Sequence, residues 1–222
     1  MDDKIILICA TGRSGSTTLQ RIINTIPKSN ICGENFGAIN SLLECYKRLK
    51  TTTFKFVPGG LNPVSYNDLI TENIKPAWYN SYCFQQAVIM IKSLIINLFK
   101  KNSDTNVWGF KEIRYDNGNI NYIKDFIELF PQTKVIIQVR ENINAQSQSS
   151  WLKNTKNAIP YLNQLNNELL LFYNNNRQFC YFTTFERMFD YNNIKKIFNF
   201  IGCDQYYNEE QIKVILNSNM TD

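Results

Sequence analysis

The chain contains no histidine at all. That absence excludes Ser-His-Asp and Cys-His nucleophile activation, imidazole acid–base work and His-ligated zinc. Its six cysteines, at 9, 32, 45, 83, 180 and 203, form no C-x-x-C pair, which argues against a zinc ribbon or a thioredoxin-type motif. They read as free thiols in a reducing compartment, so a cytoplasmic location is expected. No run approaches the roughly 20 apolar residues of a membrane span. The start, Met1-Asp2-Asp3-Lys4, is acidic and precedes too short an apolar run for a secretory signal. Excess charge is also scarce: 24 Lys+Arg against 19 Asp+Glu leave +5 over 222 residues. This suits phosphate-bearing or acidic ligands but is no nucleic-acid signature, so no nucleic-acid partner is expected. What remains is a 44% hydrophobic, 14% aromatic chain of single-domain length, which must run any chemistry on carboxylate, amine, thiol or backbone groups.

Residues 4–10 (KIILICA) form a short apolar run of the kind buried on both faces of a parallel sheet. The run breaks into Thr11-Gly12-Arg13-Ser14-Gly15-Ser16-Thr17. Leu19, Ile22, Ile23 and Ile26 then recur at helical spacing until Pro27. Strand, glycine-punctuated loop and helix together open an α/β phosphate-binding unit. Further strands are expected at 106–113, 134–139 and 179–184. Helices are expected at 34–50, 78–101, 120–130, 143–152, 161–173, 194–201 and 209–216. Between 51 and 77, three prolines and an adjacent glycine pair interrupt any periodicity; the stretch is either a lid or substrate-binding excursion or a poorly ordered insert. The alternation predicts an α/β, three-layer P-loop-like fold with a central parallel sheet of four or five strands flanked by helices. A single domain over 1–222 is expected, with a variable, substrate-facing region at about 50–105.

The loop after the first strand aims its N–H groups and a helix N-terminus at one point, where an anion is stabilised. Gly12 and Gly15 allow the tight turn, Ser14, Ser16 and Thr17 add hydroxyls, and Arg13 adds a guanidinium fork suited to phosphate or sulfate. The same residues also suit an ordinary turn in which Ser16 or Thr17 caps the helix. The loop is not a Walker A motif, since Gly12 and Gly15 stand too close together and the lysine is missing. Cys9 and Arg13 are likewise too close for a C-x5-R phosphatase loop.

Residues 8–19 (ICATGRSGSTTL) resemble the 5′-phosphosulfate loop of sulfotransferases that use 3′-phosphoadenosine 5′-phosphosulfate (PAPS). Three more segments resemble that family in the right order. Residues 135–151 (VIIQVRENINAQSQSSW) match a strand ending in Arg before a Ser-bearing helix. Residues 110–115 (FKEIRY) match a strand-end segment of bacterial-type members, and 182–202 (FTTFERMFDYNNIKKIFNFIG) match a late strand, acidic residue and helix. The resemblance implies transfer of a sulfuryl group from PAPS, without a metal, to an acceptor hydroxyl. It implies that Thr11 to Thr17 hold the 5′ end of the donor and that Arg140 grips its 3′-phosphate. The partnering serine is Ser149 by the spacing of bacterial-type members, with Ser147 as the alternative, because common members place it where this chain has Gln148.

A general base is needed for a hydroxyl of high pKa. Many soluble members use His, so the resemblance of Cys32-Gly33-Glu34-Asn35 to the C-G-E segment of the tyrosylprotein branch points to Glu34. Glu34 also suits a carboxylate at a helix N-terminus. Arg13, Lys111 and Arg114 are candidate cations for charge that builds on the leaving oxygen. The expected acceptor is a carbohydrate, as a glycan or glycolipid; peptide tyrosine and small alcohols stay open. The alternatives are a nucleotide kinase-like P-loop phosphotransferase and a non-catalytic nucleotide-binding homologue. The oligomeric state is not legible.

Overall fold

A computed structural model describes residues 3–52, 54–57, 60–63, 83–115 and 118–218. They fall into two compact units, one comprising residues 1–37 and 99–222 and the other 38–98.

The first unit is built on five parallel strands: β1 (Lys4–Ala10), β2 (Ser29–Cys32), β5 (Val107–Glu112), β6 (Lys134–Val139) and β7 (Cys180–Thr184), in the spatial order β2-β5-β1-β6-β7. The expected α/β fold with a parallel sheet is the one observed. β1 pairs with β5 on one side (Ile6↔Gly109) and with β6 on the other (Ile8↔Ile136). Successive connections therefore leave β1 towards opposite edges of the sheet, and a crevice opens at its carboxyl end. Every strand is parallel, so the loops after all five converge on that edge.

Helices cover both faces. Ile6, Ile8, Val107 and Ile136 form one cluster with Leu19, Ile22 and Ile23 of α1 (Ser16–Ile23) and with Ile194, Ile197 and Phe198 further along. On β5 the neighbours of Val107 alternate to other partners: Trp108 meets Phe130 edge-on at 5.7 Å and Phe110 meets Phe126 at 5.6 Å. Phe126 belongs to a helix over Asn121–Leu129. Burying such side chains contributes roughly 1.5–3 kcal/mol each, which is what seats the helices on the sheet.

The second unit contains α2 (Ala38–Thr52), an antiparallel hairpin of β3 (Phe54–Val57) and β4 (Gly60–Pro63), and α3 (Phe84–Phe99), whose last residue falls in the first unit. Tyr46 stacks on Phe84 at 5.8 Å. The remaining helices are α4 (Asn121–Leu129), α5 (Ile143–Ser147), α6 (Ala158–Asn175), α7 (Tyr191–Phe200) and α8 (Glu209–Asn217).

Three expectations need correction. β2 was not expected; its four residues, SNIC, are too short and too polar to show a strand period. The helix expected from 34 begins at Ala38, because Phe36 (φ 53°) and Gly37 (φ 79°) are both left-handed and cannot continue a helix backwards. The helix expected over 143–152 is broken: α5 ends at Ser147, Ser149 is extended (φ −94°, ψ 129°), and a 3-10 turn follows over Ser150–Asn154. The start of the helix expected at 78, and most of the irregular 51–77 stretch, lie outside the described residues.

Candidate active site

The loop after β1 is held from behind by two buried amides. Gln146, on α5, donates from Nε2 to the Thr11 hydroxyl (3.0 Å) and to the Gly12 carbonyl (2.6 Å). Gln138, on β6, donates to the Ser14 carbonyl at 2.8 Å. Ser14 in turn donates to the Thr11 carbonyl at 2.7 Å. Thr11 and Ser14 are therefore fully buried parts of the loop's own frame, while Gly12, Arg13, Gly15, Ser16 and Thr17 line a cleft of about 720 Å³.

Both left-handed positions of the loop bear on this. Arg13 sits at φ 62°, and Gly15, the N-cap of α1, sits at φ 75°. A β-carbon on Gly15 would run into the Phe185 ring and stand 2.7 Å from the Met188 methyl. One on Gly12 would lie 2.9 Å from the Trp151 ring. Only glycine lets the backbone come this close to the aromatic wall of the cleft.

Arg140 follows β6 at the same edge. Its Nη1 lies 3.5 Å from the Arg13 carbonyl, and its guanidinium lies 4.5 Å from the Phe185 ring centroid. Its Nε is buried and has no hydrogen-bond partner among the described residues. The turn after it is pinned by Glu186, whose carboxylate accepts the Glu141 and Asn142 amides at 3.1 and 3.2 Å. Burial pushes the Glu186 carboxyl up, but those amides and the Arg140 charge more than offset it, so it lies below the usual carboxylate range.

The break after α5 sets the two serines in different surroundings. Extended Ser149 lines the cleft and accepts a hydrogen bond from Arg13 Nε at 3.0 Å. Ser147 is buried and donates to the Asn144 carbonyl of its own helix at 2.9 Å. The following residues bring Trp151 to the cleft wall, with Tyr161, Phe185 and Phe189 nearby.

A charged group occupies the other end. Lys111 donates to Glu34 Oε1 at 2.6 Å and lies 3.4 Å from the Thr17 hydroxyl. Arg114 donates from Nη1 to Glu34 Oε2 at 3.1 Å and stacks on the Phe36 ring at 4.4 Å. Burial pushes the Glu34 carboxyl up, but hydrogen bonding and charge from Lys111 and then Arg114 outweigh it and hold it below its ordinary value. With α2 starting four residues later, ion pairing takes the place of the helix dipole expected to act on Glu34.

Glu34, Arg13, Lys111, Arg114, Arg140 and Ser149, drawn from five separate segments, thus line one cleft. Sequence reasoning missed Gln138, Gln146 and Glu112. The visible signal was a polar residue inside an apolar strand run (KVIIQV) and a carboxylate at a strand end. The cleft's volume falls within the 300–1,000 Å³ common for small-molecule sites. Among the described residues, the α1 start without a side-chain cap, the buried Arg140 Nε without a hydrogen-bond partner and the Arg13–Ser149 pair suit a ligand carrying anionic groups at both ends.

A family model described as "Sulfotransferase family" matches residues 6–188. Among solved structures, the chain is similar to the "Sulfotransferase Domain from the Curacin Biosynthetic Pathway", with a TM-score of 0.53 and 14% identity, over 98% of this chain and 79% of that one. At that identity the likeness bears on the fold. No curated protein matches the chain in sequence.

Proposed function

Because the chain belongs to the sulfotransferase family, an enzyme family that transfers sulfate, we propose that its donor is PAPS and its acceptor a carbohydrate hydroxyl, on a glycan or glycolipid. The observation that carries the donor assignment is the pair of cationic positions in one cleft: the α1 loop with Arg13, and Arg140, whose buried Nε has no hydrogen-bond partner among the described residues. Bound there, PAPS would supply the sulfuryl group. Thr11 to Thr17 would hold its phosphosulfate end, the loop amides and the Ser16 and Thr17 hydroxyls pointing at the anion while Thr11 and Ser14 keep the loop rigid. Arg140 and Ser149 would hold the 3′-phosphate.

Glu34 is the general base. Its lowered pKa keeps it ionised at neutral pH, ready to accept a proton but weakly basic while both cations hold it. Lys111 lies between Glu34 and Thr17, so an anion on the loop competes with Glu34 for the ammonium. In that exchange Lys111 turns to the developing charge on the leaving oxygen, together with Arg13, and Glu34 regains basicity. Glu34 then takes the acceptor proton as the acceptor oxygen bonds to sulfur, and adenosine 3′,5′-bisphosphate leaves. Arg114 orients the acceptor. Specificity for it lies in the variable region at about 50–105, which carries none of the four motifs. Six free thiols support a reducing, cytoplasmic setting. Among the described residues, no helix is long and apolar enough to cross a membrane.

The deciding experiment is transfer of radiolabelled sulfate from PAPS across an acceptor library, with Glu34→Gln alongside. Transfer to a sugar hydroxyl, lost in Glu34→Gln, is expected. Mg²⁺-dependent ATP turnover without sulfate transfer would overturn the donor assignment, and wild-type transfer by Glu34→Gln would overturn the base.

A further inference from the structure

Glu112 is 1% exposed at the end of β5, beside the cleft, and the chemistry above leaves it without a task. Its Oε1 accepts from the amides of Ile113 (2.8 Å) and Arg114 (3.3 Å) and from Arg114 Nη1 (2.7 Å). Its Oε2 accepts from the amide of Asn35 at 3.3 Å. A buried carboxylate is tolerated when its lone pairs are met in this way, and here the donors are distributed with a consequence. One of them belongs to the residue directly after Glu34. Another is the same Arg114 nitrogen that donates to Glu34. That nitrogen bridges two carboxylates, and the guanidinium carrying it is pressed against Phe36.

We propose that Glu112 is a positioning residue for sulfuryl transfer: it fixes the backbone that carries Glu34 and shares Arg114 with it, so that the base is oriented without being fully neutralised by the guanidinium. The proposal rests on Glu34 being the base. Glu34 faces Lys111 and Arg114 directly, Glu112 through Arg114, and Arg13 across the same cleft. Replacing Glu112 by Gln keeps a carbonyl oxygen for the Ile113 and Arg114 amides, sets an NH2 group where Oε2 accepts the Asn35 amide, and removes one negative charge. Among the described residues Arg114 then keeps Glu34 as its ion-pair partner, and both effects favour the ionised form of Glu34.

The test needs no identified acceptor. Protein labelled with carbon-13 at Glu carboxyls is titrated by NMR as wild type and Glu112→Gln, with Glu34→Gln to assign the Glu34 signal. Slow hydrolysis of PAPS, with water as acceptor, and the affinity for adenosine 3′,5′-bisphosphate are measured on the same samples. In Glu112→Gln the Glu34 midpoint should move to lower pH, hydrolysis should fall about ten- to a hundredfold, and nucleotide affinity should stay within about threefold of wild type. An unmoved Glu34 midpoint overturns the proposal. So does a loss of nucleotide affinity in step with hydrolysis, which would mark Glu112 as a part of the fold alone. Hydrolysis that Glu34→Gln leaves intact removes the base assignment instead, and the Glu34 titration then separates that failure from this one.

Discussion

Arg140 carries the sharpest expectation for a single side chain. Its guanidinium is set by Phe185 and the Arg13 carbonyl, with a buried Nε that has no hydrogen-bond partner among the described residues. Arg140→Ala should therefore weaken binding of adenosine 3′,5′-bisphosphate by about ten- to a hundredfold, read by calorimetry, the scale of a lost charge-assisted hydrogen bond. Arg13→Ala should do the same, with Ser149 left without the Arg13 Nε donor. The carboxylates make a second expectation, in pH. Glu34 and Glu186 both sit below the usual carboxylate range in the folded chain. On acidification the unfolded chain takes up protons first. The stability they contribute is complete above the ordinary Glu value, about 4.3, and drains away as pH falls through the lowered folded values. Urea midpoints measured between pH 7 and pH 3 should fall, and Glu34→Gln should fall less steeply from a lower start, because Lys111 has already lost its partner.

At the scale of an element, the start of α1 is where backbone and site meet. The helix begins with Gly15 left-handed against Phe185 and Met188. Gly15→Ala should cost about 1–3 kcal/mol for the backbone alone, with further loss from the ring contact. A lowered Tm and a loss of nucleotide binding together would bear this out, and unchanged binding would show that the loop tolerates a shift. The broken helix after β6 teaches a related lesson. Its apolar spacing reads through to 152, yet the chain turns at Gln148, Ser149 and left-handed Ser150. The turn sets Trp151 beside Gly12 and brings Ser149 to Arg13.

For the whole molecule, the proposed nucleotide binding would be linked to folding. A ligand at a hundred times its Kd stabilises the native state by about 2.7 kcal/mol, which for a chain of this size raises Tm by about 5–10 °C. Adenosine 3′,5′-bisphosphate should produce that shift in a thermal melt, and Arg140→Ala, binding about ten- to a hundredfold more weakly, should remove from about half to most of it. On the proposed role of Glu34 as the base on the acceptor side, the shift should also survive Glu34→Gln, and its loss there would place Glu34 in the nucleotide site instead.

The residues of β1, β5, β6 and β7 and the glycine-punctuated loop determined the parallel α/β fold by themselves, because continuous apolar runs and turn residues are local signals. They also excluded a histidine base, through the missing imidazole. Tertiary structure decided the rest. β2 is a strand because β5 offers its edge, with Ile31 opposite Gly109, and nothing in SNIC announces it. Ser149 was separated from Ser147 by a helix break that no periodicity shows. Glu34 acquired its low pKa from Lys111 and Arg114, nearly 80 positions away along the chain, because parallel strands deliver their carboxyl ends to one edge whatever the distance between them.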